Sequence, residues 1–293
     1  MQKEKTIKER IPSISEYITV TQYFAELRGP IASSTLPLVS IVTIVKNQPT
    51  ELLATIESVQ AQDYPNLEHI IINGGDTIAV QARSLLMLTE PDLGIADAFN
   101  KGVAGAAGDI VCILNAGDLY LEGAITEIVS QFNQQPETEI ICCSAAYIEA
   151  NRTIYYRRSD DLRLLYSMSV VHPATFVLKK VYQEIGLFCL AFSISMDYEF
   201  LLRAKKNKIK FSSLDLELVE VLTNGISEQD WRSGLVQSFK AKRLNGFNSP
   251  SVYLYGGYDY IFQTIYSILK KMKLSYCINF YRKYFSSLSY LKK

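Results

Sequence analysis

The sequence has few of the residues from which most zinc and disulfide sites are built. Only two histidines occur in 293 residues, and the five cysteines include no C-x-x-C pair. This composition disfavours a zinc site and a disulfide framework. Cys112, Cys142 and Cys143 lie inside apolar runs, where a thiol behaves as a small hydrophobic side chain. We therefore expect core cysteines in a protein of a reducing compartment.

The chain also lacks a net charge, a long apolar run and an apolar leader. Lys and Arg total 30, as do Asp and Glu, so the overall charge gives no signal for nucleic acid as a partner. No run of about 18 apolar residues occurs, which predicts no transmembrane helix. Residues 1–10 are charged, which is not typical of a secretory signal. We expect a cytoplasmic protein.

Two glycine patterns for phosphate binding are missing as well. The sequence contains no G-x-x-x-x-G-K-[ST] segment. Gly102, Gly105 and Gly108 have a dinucleotide-like spacing, but they follow a predicted helix and precede a strand, which reverses the order found in dinucleotide sites. Any bound nucleotide must therefore have its phosphates neutralised in another way.

What the sequence does contain is an alternation of apolar strands and amphipathic helices. Strands are predicted at 39–45, 67–72, 109–114 and 139–148, and a further short strand is predicted to end at about Thr89. Helices are predicted from Pro49 and at about 77–86, 95–103, 122–132 and 195–206. The alternation predicts an α/β fold with a mostly parallel, Rossmann-like central sheet flanked by helices. Ligands of such sheets bind beyond the carboxyl ends of the strands, where polar loops begin at Lys46, Asn73 and Asn115.

The two ends of the chain differ from this pattern. We predict an N-terminal extension at 1–36, the α/β domain at 37–228, and a helical, basic and aromatic appendage at 229–293. From Tyr260 to Lys293 there is no Asp or Glu, but there are seven Lys or Arg. Apolar residues from Ile261 onward recur at helical spacing and form one stripe. Such a stripe fits contact with an anionic membrane surface or a helix docked on the domain.

Two aspartates occupy positions at which a carboxylate can bind a metal ion or act as a general base. Asp118 follows a predicted buried strand, where a carboxylate can hold Mg²⁺ or Mn²⁺ against a diphosphate. Asp197 begins a predicted helix, where a general base is rigidly held. A turn role for Asp118 and a capping role for Asp197 stay open, since the helix dipole favours an anion at a helix start.

Other polar residues are less specific. A lone histidine before a proline, as at His172, favours a structural role. Arg157, Arg158 and Arg203 are not distinguished from surface charges.

The motifs, taken in order, resemble glycosyltransferase family 2, the inverting enzymes with a GT-A fold. The resemblance covers about residues 37–227. It rests on the blocks VSIVTIVKN, IIINGGDT, TEPDLGIADAFNKG, ILNAGD, HPATF, EIGLF and SMDYEFLLR, and on NGIS near Asn224. The third and fourth blocks are similar to the branch that builds bacterial polysaccharides. The resemblance implies transfer of a hexosyl or N-acetylhexosaminyl group from a nucleotide sugar, a UDP-sugar, to a saccharide or lipid-linked hydroxyl with inversion.

The resemblance also implies roles for individual residues. Asp118 would be the ligand of Mg²⁺ or Mn²⁺, and Asp197 would be the catalytic base. Five residues would bind the nucleotide sugar: Thr43, Asn73, Asp92, Asn100 and Asn115. By the same resemblance, the protein would act in the cytoplasm or peripherally on the inner face of the membrane.

The sequence departs from the family pattern at the donor site. Asn73 stands where the family usually has an aspartate that reads the uracil, and Asn115 and Gly117 leave one acid in the metal motif. These departures keep open a degenerate member that acts as a nucleotide-sugar-binding or scaffold subunit. A sugar nucleotidyltransferase is a further alternative, but that class needs a glycine-rich basic loop after the first strand, and residues 46–49 contain no glycine.

Overall fold

A computed structural model describes residues 11–31, 33–80, 85–150, 152–223, 225, 229–272, 274–284 and 289–290. The first part of the chain forms α1 (Ile18–Arg28), β1 (Val39–Val45), α2 (Pro49–Gln60), β2 (Leu67–Asn73), β3 (Leu85–Thr89), α3 (Ile95–Gly105), β4 (Ile110–Ile113), β5 (Leu119–Tyr120) and α4 (Ala124–Gln134). The rest forms β6 (Ile140–Glu149), β7 (Arg152–Arg157), β8 (Thr175–Leu178), α5 (Lys179–Ile185), α6 (Met196–Lys206), β9 (Phe211–Leu222), α7 (Trp231–Leu244), α8 (Pro250–Lys271), α9 (Ser275–Tyr284) and β10 (Ser289–Tyr290).

The strands form one mixed sheet in the order β10–β7–β6–β8–β4–β1–β2–β3, with β9 beside β6 and β5. Strands β3, β2, β1 and β4 are parallel, as is β6 with β9. The pairs that join β4, β8, β6 and β7 are antiparallel. Because only residues 150–151 connect β6 to β7, no crossover is possible there and the two strands form a hairpin. The predicted α/β fold is confirmed, and its parallel region is centred on β1.

The predicted helix at 77–86 is wrong. Residues 77–80 have no regular structure, residues 81–84 lie outside the described part, and Leu85 begins β3. A short apolar run reads equally well as a buried helix segment or as a strand, so periodicity alone did not separate them. Most of the NGIS block also lies outside the described residues, at 224, 226 and 227.

Side chains of β1 alternate between the two faces of the sheet, and each face has its own apolar core. Val42 packs in a core with Phe99 of α3 and Leu201 of α6. Ile41 packs in a second core with Val59 of α2 and Ile125 of α4. Helices therefore cover both faces. The predicted core positions of the three cysteines in apolar runs are confirmed, since all three are buried: Cys112, Cys142 and Cys143.

Helix α1 packs into the first of these cores. Phe24 is fully buried, and it lies so close to Gly105 that a Cβ there would approach its ring to 2.2 Å. Arg28 at the end of the helix donates to Glu68 at 2.5 Å and to the carbonyl of Gly105 at 2.6 Å. Residues 18–28 are thus part of the packed domain.

The C-terminal helices reach the domain at several points. Gln237 of α7 accepts hydrogen bonds from the amides of residues 193–195, just before α6. At the far end of the sheet, β10 pairs with β7 at Tyr156 and Arg157. Within the part of the chain that the structure covers, no helix has the length and apolarity needed to cross a membrane.

Substitution of Phe24 tests whether α1 belongs to the domain. Phe24→Ala should lower the free energy of unfolding by about 3–5 kcal/mol, the usual cost of deleting a buried phenylalanine. Leu27→Ala on the same helix is the matched control, because Leu27 is half exposed. Urea unfolding measures both variants. Equal stability of the two would contradict the packing described.

Candidate functional site

The polar loops lie together at one edge of the sheet, as the parallel strands require. The amide of Gly74 donates to the carbonyl of Val45 at 3.0 Å, and that of Leu114 donates to Val42 at 2.9 Å. The loops after β1, β2 and β4 therefore leave the sheet side by side. Because β8 runs antiparallel to β4, the turn His172–Ala174 that precedes β8 lies at this same edge.

Asn73 ends β2 and shapes the loop that follows it. Its Oδ1 accepts from the amide of Gly75 at 3.0 Å, and its Nδ2 donates to the carbonyl of Asp76 at 2.7 Å. This is the side-chain turn that asparagine forms readily. Both ends of the fully buried carboxamide make hydrogen bonds within the loop, so this side chain holds the loop in its conformation.

Asp92 lies against the same loop. A Cβ on Gly74 would come within 1.8 Å of Asp92 Oδ2, so only glycine allows this approach. The other carboxylate oxygen accepts from the amide of Gly94 at 2.9 Å. The structure thus brings Asp92 next to the loop of Asn73, as expected for two residues of one donor pocket.

The side chains of Thr43 and Asn100 form hydrogen bonds within the interior of the domain. Thr43 Oγ1 lies 2.8 Å from Nε2 of His69 in the core, where burial lowers the pKa of His69 to about 3. The amide of Asn100 donates to the carbonyl of Phe188 at 2.9 Å and accepts from its N–H at 2.8 Å. Both side chains are fully buried, and their predicted role in binding the nucleotide sugar stays a prediction.

Asp118 is a buried carboxylate whose two oxygens are both oriented. Oδ1 accepts from the amide of Leu222 at 3.0 Å, and Oδ2 accepts from Nδ2 of Asn115 at 3.2 Å. Thr55 donates to the carbonyl of Asp118 at 3.0 Å. Burial raises the pKa of Asp118 to about 7, against the lowering effect of the hydrogen bonds from Leu222 and Asn115.

The environment of Asp118 fits a divalent cation. Among the described residues, no Lys, Arg or His forms a salt bridge with it, and no group of three or more His, Cys, Asp or Glu side chains surrounds it. A buried carboxylate without a positive partner is costly, and Mg²⁺ commonly uses one or two carboxylates with substrate phosphates and water. The residues present therefore suit Mg²⁺ or Mn²⁺ held by one protein carboxylate.

Asp197 lies at the start of α6 in a different electrostatic setting. It is partly buried, and its Oδ1 accepts from the amide of Tyr198 at 2.7 Å. Burial raises the pKa of Asp197, while the charges of His172 and Arg157 act to lower it. Asp197 thus has two positive or titratable neighbours, which Asp118 lacks.

His172 and Arg157 are the residues whose place in the site the sequence did not reveal. The imidazole of His172 lies 5.5 Å from the ring of Phe99 and 6.0 Å from that of Phe188, measured between centroids. Arg157 ends β7 and donates to the carbonyl of Met168. The HPATF block was a signal for His172, but a single arginine in a run of charged and aromatic residues gave none for Arg157.

Comparison with known proteins places this site in a family. A model described as Glycosyl transferase family 2 matches residues 40–200. The chain belongs to this family. It is 31% identical over 180 residues to an uncharacterized glycosyltransferase of Mycobacterium tuberculosis, covering 57% of this chain and 69% of that protein. It is 24% identical over 181 residues to a PGL/p-HBAD biosynthesis glycosyltransferase of Mycobacterium bovis, covering 58% and 71%.

Solved structures give the same fold at low identity. TarS of S. aureus superposes with a TM-score of 0.53 at 13% identity, covering 68% of this chain. The present chain spans 38% of the length of TarS. The mannosyltransferase PcManGT from Pyrobaculum calidifontis, solved with GDP-Man and Mn²⁺, superposes with a TM-score of 0.54 at 14% identity, covering 82% of this chain and 74% of its own. The GT-A fold expected from the motifs is confirmed.

The raised pKa of Asp118 predicts how stability depends on pH. The unfolded chain releases this proton near the ordinary value of 3.8, whereas the folded protein keeps it up to about 7. In this window the folded state binds more protons, so the free energy of unfolding should fall as pH rises. Asp118→Asn should remove this dependence and, without divalent cations, should be more stable than the wild type above pH 7 by up to about 4 kcal/mol.

Urea unfolding across this pH window measures the effect. Mn²⁺ with UDP should then stabilise the wild type but leave Asp118→Asn unchanged, because the variant lacks the carboxylate. Parallel pH profiles for the two proteins would refute the buried environment of Asp118, and equal stabilisation by Mn²⁺ would refute its role as ligand.

Proposed function

We propose that this chain is a glycosyltransferase that moves a sugar from a nucleotide donor to an acceptor hydroxyl with inversion. One observation carries the proposal. The loops that carry Asp92 and Asp118 lie at one edge of the sheet, and so does the turn at His172. His172 in turn influences the pKa of Asp197. This arrangement supports a transfer site whose donor side and acceptor side lie next to each other. Membership of glycosyltransferase family 2 supports the transfer of a sugar from a nucleotide donor.

The proposed donor is a UDP-sugar that carries a hexosyl or N-acetylhexosaminyl group. TarS residues 1–349 have been solved with UDP-GlcNAc, at a TM-score of 0.52 and 14% identity to this chain, which supports a uridine donor. The GDP-Man complex of PcManGT makes a guanosine donor the alternative. A donor screen by thermal protection should include both nucleotides.

On the donor side, Asp118 is proposed to hold Mg²⁺ or Mn²⁺. When bound, such a cation offsets the negative charge that develops on the leaving diphosphate. Hydrogen bonds from the amide of Leu222 and from Nδ2 of Asn115 orient the two carboxylate oxygens of Asp118 before a cation binds. A pre-oriented carboxylate loses little freedom when the ligand arrives.

On the acceptor side, Asp197 is proposed to accept the proton of the acceptor hydroxyl. That oxygen then bonds to the anomeric carbon while the bond from this carbon to the diphosphate oxygen breaks, which inverts the configuration. Arg157 favours the ionised form of Asp197 against the effect of burial. The aromatic rings of Phe99 and Phe188 pack against the imidazole of His172.

Replacement of the base tests this assignment. Asp197→Asn should lower kcat by about 10²–10⁴-fold, the usual contribution of a general base, and should keep donor binding by calorimetry. Asp197→Glu retains a carboxylate and should keep part of the rate. Because the pKa of Asp197 is raised, the acid limb of kcat/KM should lie above the usual range of an aspartate. Transfer by Asp197→Asn at the wild-type rate would rule out Asp197 as the base.

A second candidate function follows from the donor loop. The carboxamide of Asn73 is used within its own loop, and among the described residues Asp118 belongs to no group of three or more His, Cys, Asp or Glu side chains. Both features suit a family member that binds a nucleotide sugar or serves as a scaffold without transfer. Calorimetry with UDP-GlcNAc, GDP-Man and Mn²⁺ separates the candidates, since a scaffold binds none of them and a binding subunit binds without turnover.

The proposed acceptor is a saccharide or a lipid-linked saccharide, and residues 260–293 are proposed to contact the inner face of the membrane. Helix α8 exposes half or more of several apolar side chains, among them Leu254, Tyr258, Ile261 and Ile265. The acid-free sequence after Tyr260 makes this surface basic as well as apolar. An amphipathic helix of this kind favours an anionic lipid surface.

Vesicle flotation tests the membrane contact. The protein should float with vesicles of equal parts phosphatidylcholine and phosphatidylglycerol, less so in high salt, and not with phosphatidylcholine alone. Lys270→Glu with Lys271→Glu should weaken flotation, whereas the control pair Lys206→Glu with Lys208→Glu at the end of α6 should not. No flotation, or a dimer in ultracentrifugation that Ile265→Ser dissociates, would contradict the proposal.

A further inference from the structure

The hydroxyl of Tyr17 makes two contacts with α3 from outside the residues matched to the family. Tyr17 ends a short turn, Ile14–Tyr17, that leads into α1, whereas the family match begins at residue 40. The hydroxyl donates to Oδ1 of Asp97 at 2.8 Å and accepts from Nδ2 of Asn100 at 3.4 Å. It therefore uses both its donor and its acceptor capacity on two buried side chains.

Through Asp97, Tyr17 is connected to the loop that carries Asp92. The other oxygen of Asp97 accepts from the amide of Leu93 at 3.1 Å and pairs with Lys101 at 3.3 Å. Lys101 in turn pairs with Glu90 at 2.8 Å and donates to the carbonyl of residue 91 at 2.8 Å. Residues 90, 91 and 93 of the 90–94 loop are thus bound by two side chains of α3, those of Asp97 and Lys101.

Through Asn100, the same hydroxyl is connected to the acceptor side. Asn100 holds both the N–H and the carbonyl of Phe188. The ring of Phe188 meets the imidazole of His172 edge-on, and His172 influences the pKa of Asp197. The hydroxyl of Tyr17 therefore forms a hydrogen bond with one member of each network, Asp97 in the first and Asn100 in the second.

We propose that Tyr17 is a positioning residue that fixes the donor loop, residues 90–94, relative to the acceptor-side segment at Phe188. The inference rests on the proposed role of Asp92 in donor binding. Burial raises the pKa of Tyr17 well above its usual range, so the hydroxyl remains protonated and continues to donate to Asp97.

A simpler role, anchoring the N-terminal segment, is distinguished by Tyr23. Its hydroxyl donates to the carbonyl of Met87 in β3 at 2.8 Å, so it also fastens this segment to the domain. None of its hydrogen bonds in the described structure reaches the donor loop. Tyr23→Phe is therefore a matched control that removes the same chemical group and one tether.

The test compares Tyr17→Phe with Tyr23→Phe in the full chain. Tyr17→Phe should raise the KM for the nucleotide sugar about tenfold with a smaller change in kcat, because a hydrogen bond to a carboxylate is lost without a change in the reacting groups. Hydrogen exchange at the amide of Leu93 should also quicken about tenfold, since Asp97 is then less well fixed. Tyr23→Phe should leave both quantities within about twofold of the wild type.

Each outcome bears on the proposal. Equal KM values and equal exchange at Leu93 in the two variants would overturn it and leave Tyr17 as an anchor. If the wild type transfers no sugar, the proposed function fails, but exchange at Leu93 still decides whether Tyr17 fixes the loop. Faster exchange confined to Tyr17→Phe supports the positioning role in either case.

Discussion

Strand β1 pairs in parallel with β2 on one side and with β4 on the other, and the loops after all three strands leave the sheet at one edge. The direction of β8, opposite to β4, brings the turn at His172 to that edge as well. Asp92 and Asp118 depend on this arrangement, because each lies in a loop that follows a parallel strand, whereas Asp197 lies at the start of helix α6. The apolar cores on both faces of the sheet stabilise this arrangement of strands.

The two carboxylates proposed to act in transfer have different environments. Asp118 is buried with hydrogen-bond donors, and no Lys, Arg or His of the described residues forms a salt bridge with it. Asp197 has the charged Arg157 and the titratable His172 close enough to influence its pKa, and burial lowers the pKa of His172 itself. The environment of Asp118 suits a carboxylate whose charge is balanced when a cation binds. The environment of Asp197 suits a carboxylate that must be ionised before the acceptor binds.

Parts of the chain outside the family match support this edge. Phe24 and Arg28 pack α1 onto α3 and β2, and Tyr17 reaches the two networks that hold the donor loop and Phe188. From the other end, Gln237 of α7 binds the amides that precede α6, the helix of Asp197. Strand β10 extends the sheet beside Arg157. The extension and the appendage predicted from the sequence are therefore joined to the site by specific contacts.

The sequence by itself determined the α/β alternation, the loops that carry Asp92 and Asp118, and the family, because strand periodicity and motif order are local properties of the chain. It failed at residues 77–86, where a short apolar run is compatible with both helix and strand. Only the tertiary structure decided what each polar side chain binds. Asn100 holds Phe188, 88 residues away, and Thr43 holds His69, 26 residues away. Such pairings depend on which strands and helices become neighbours, and no local pattern of residues encodes that.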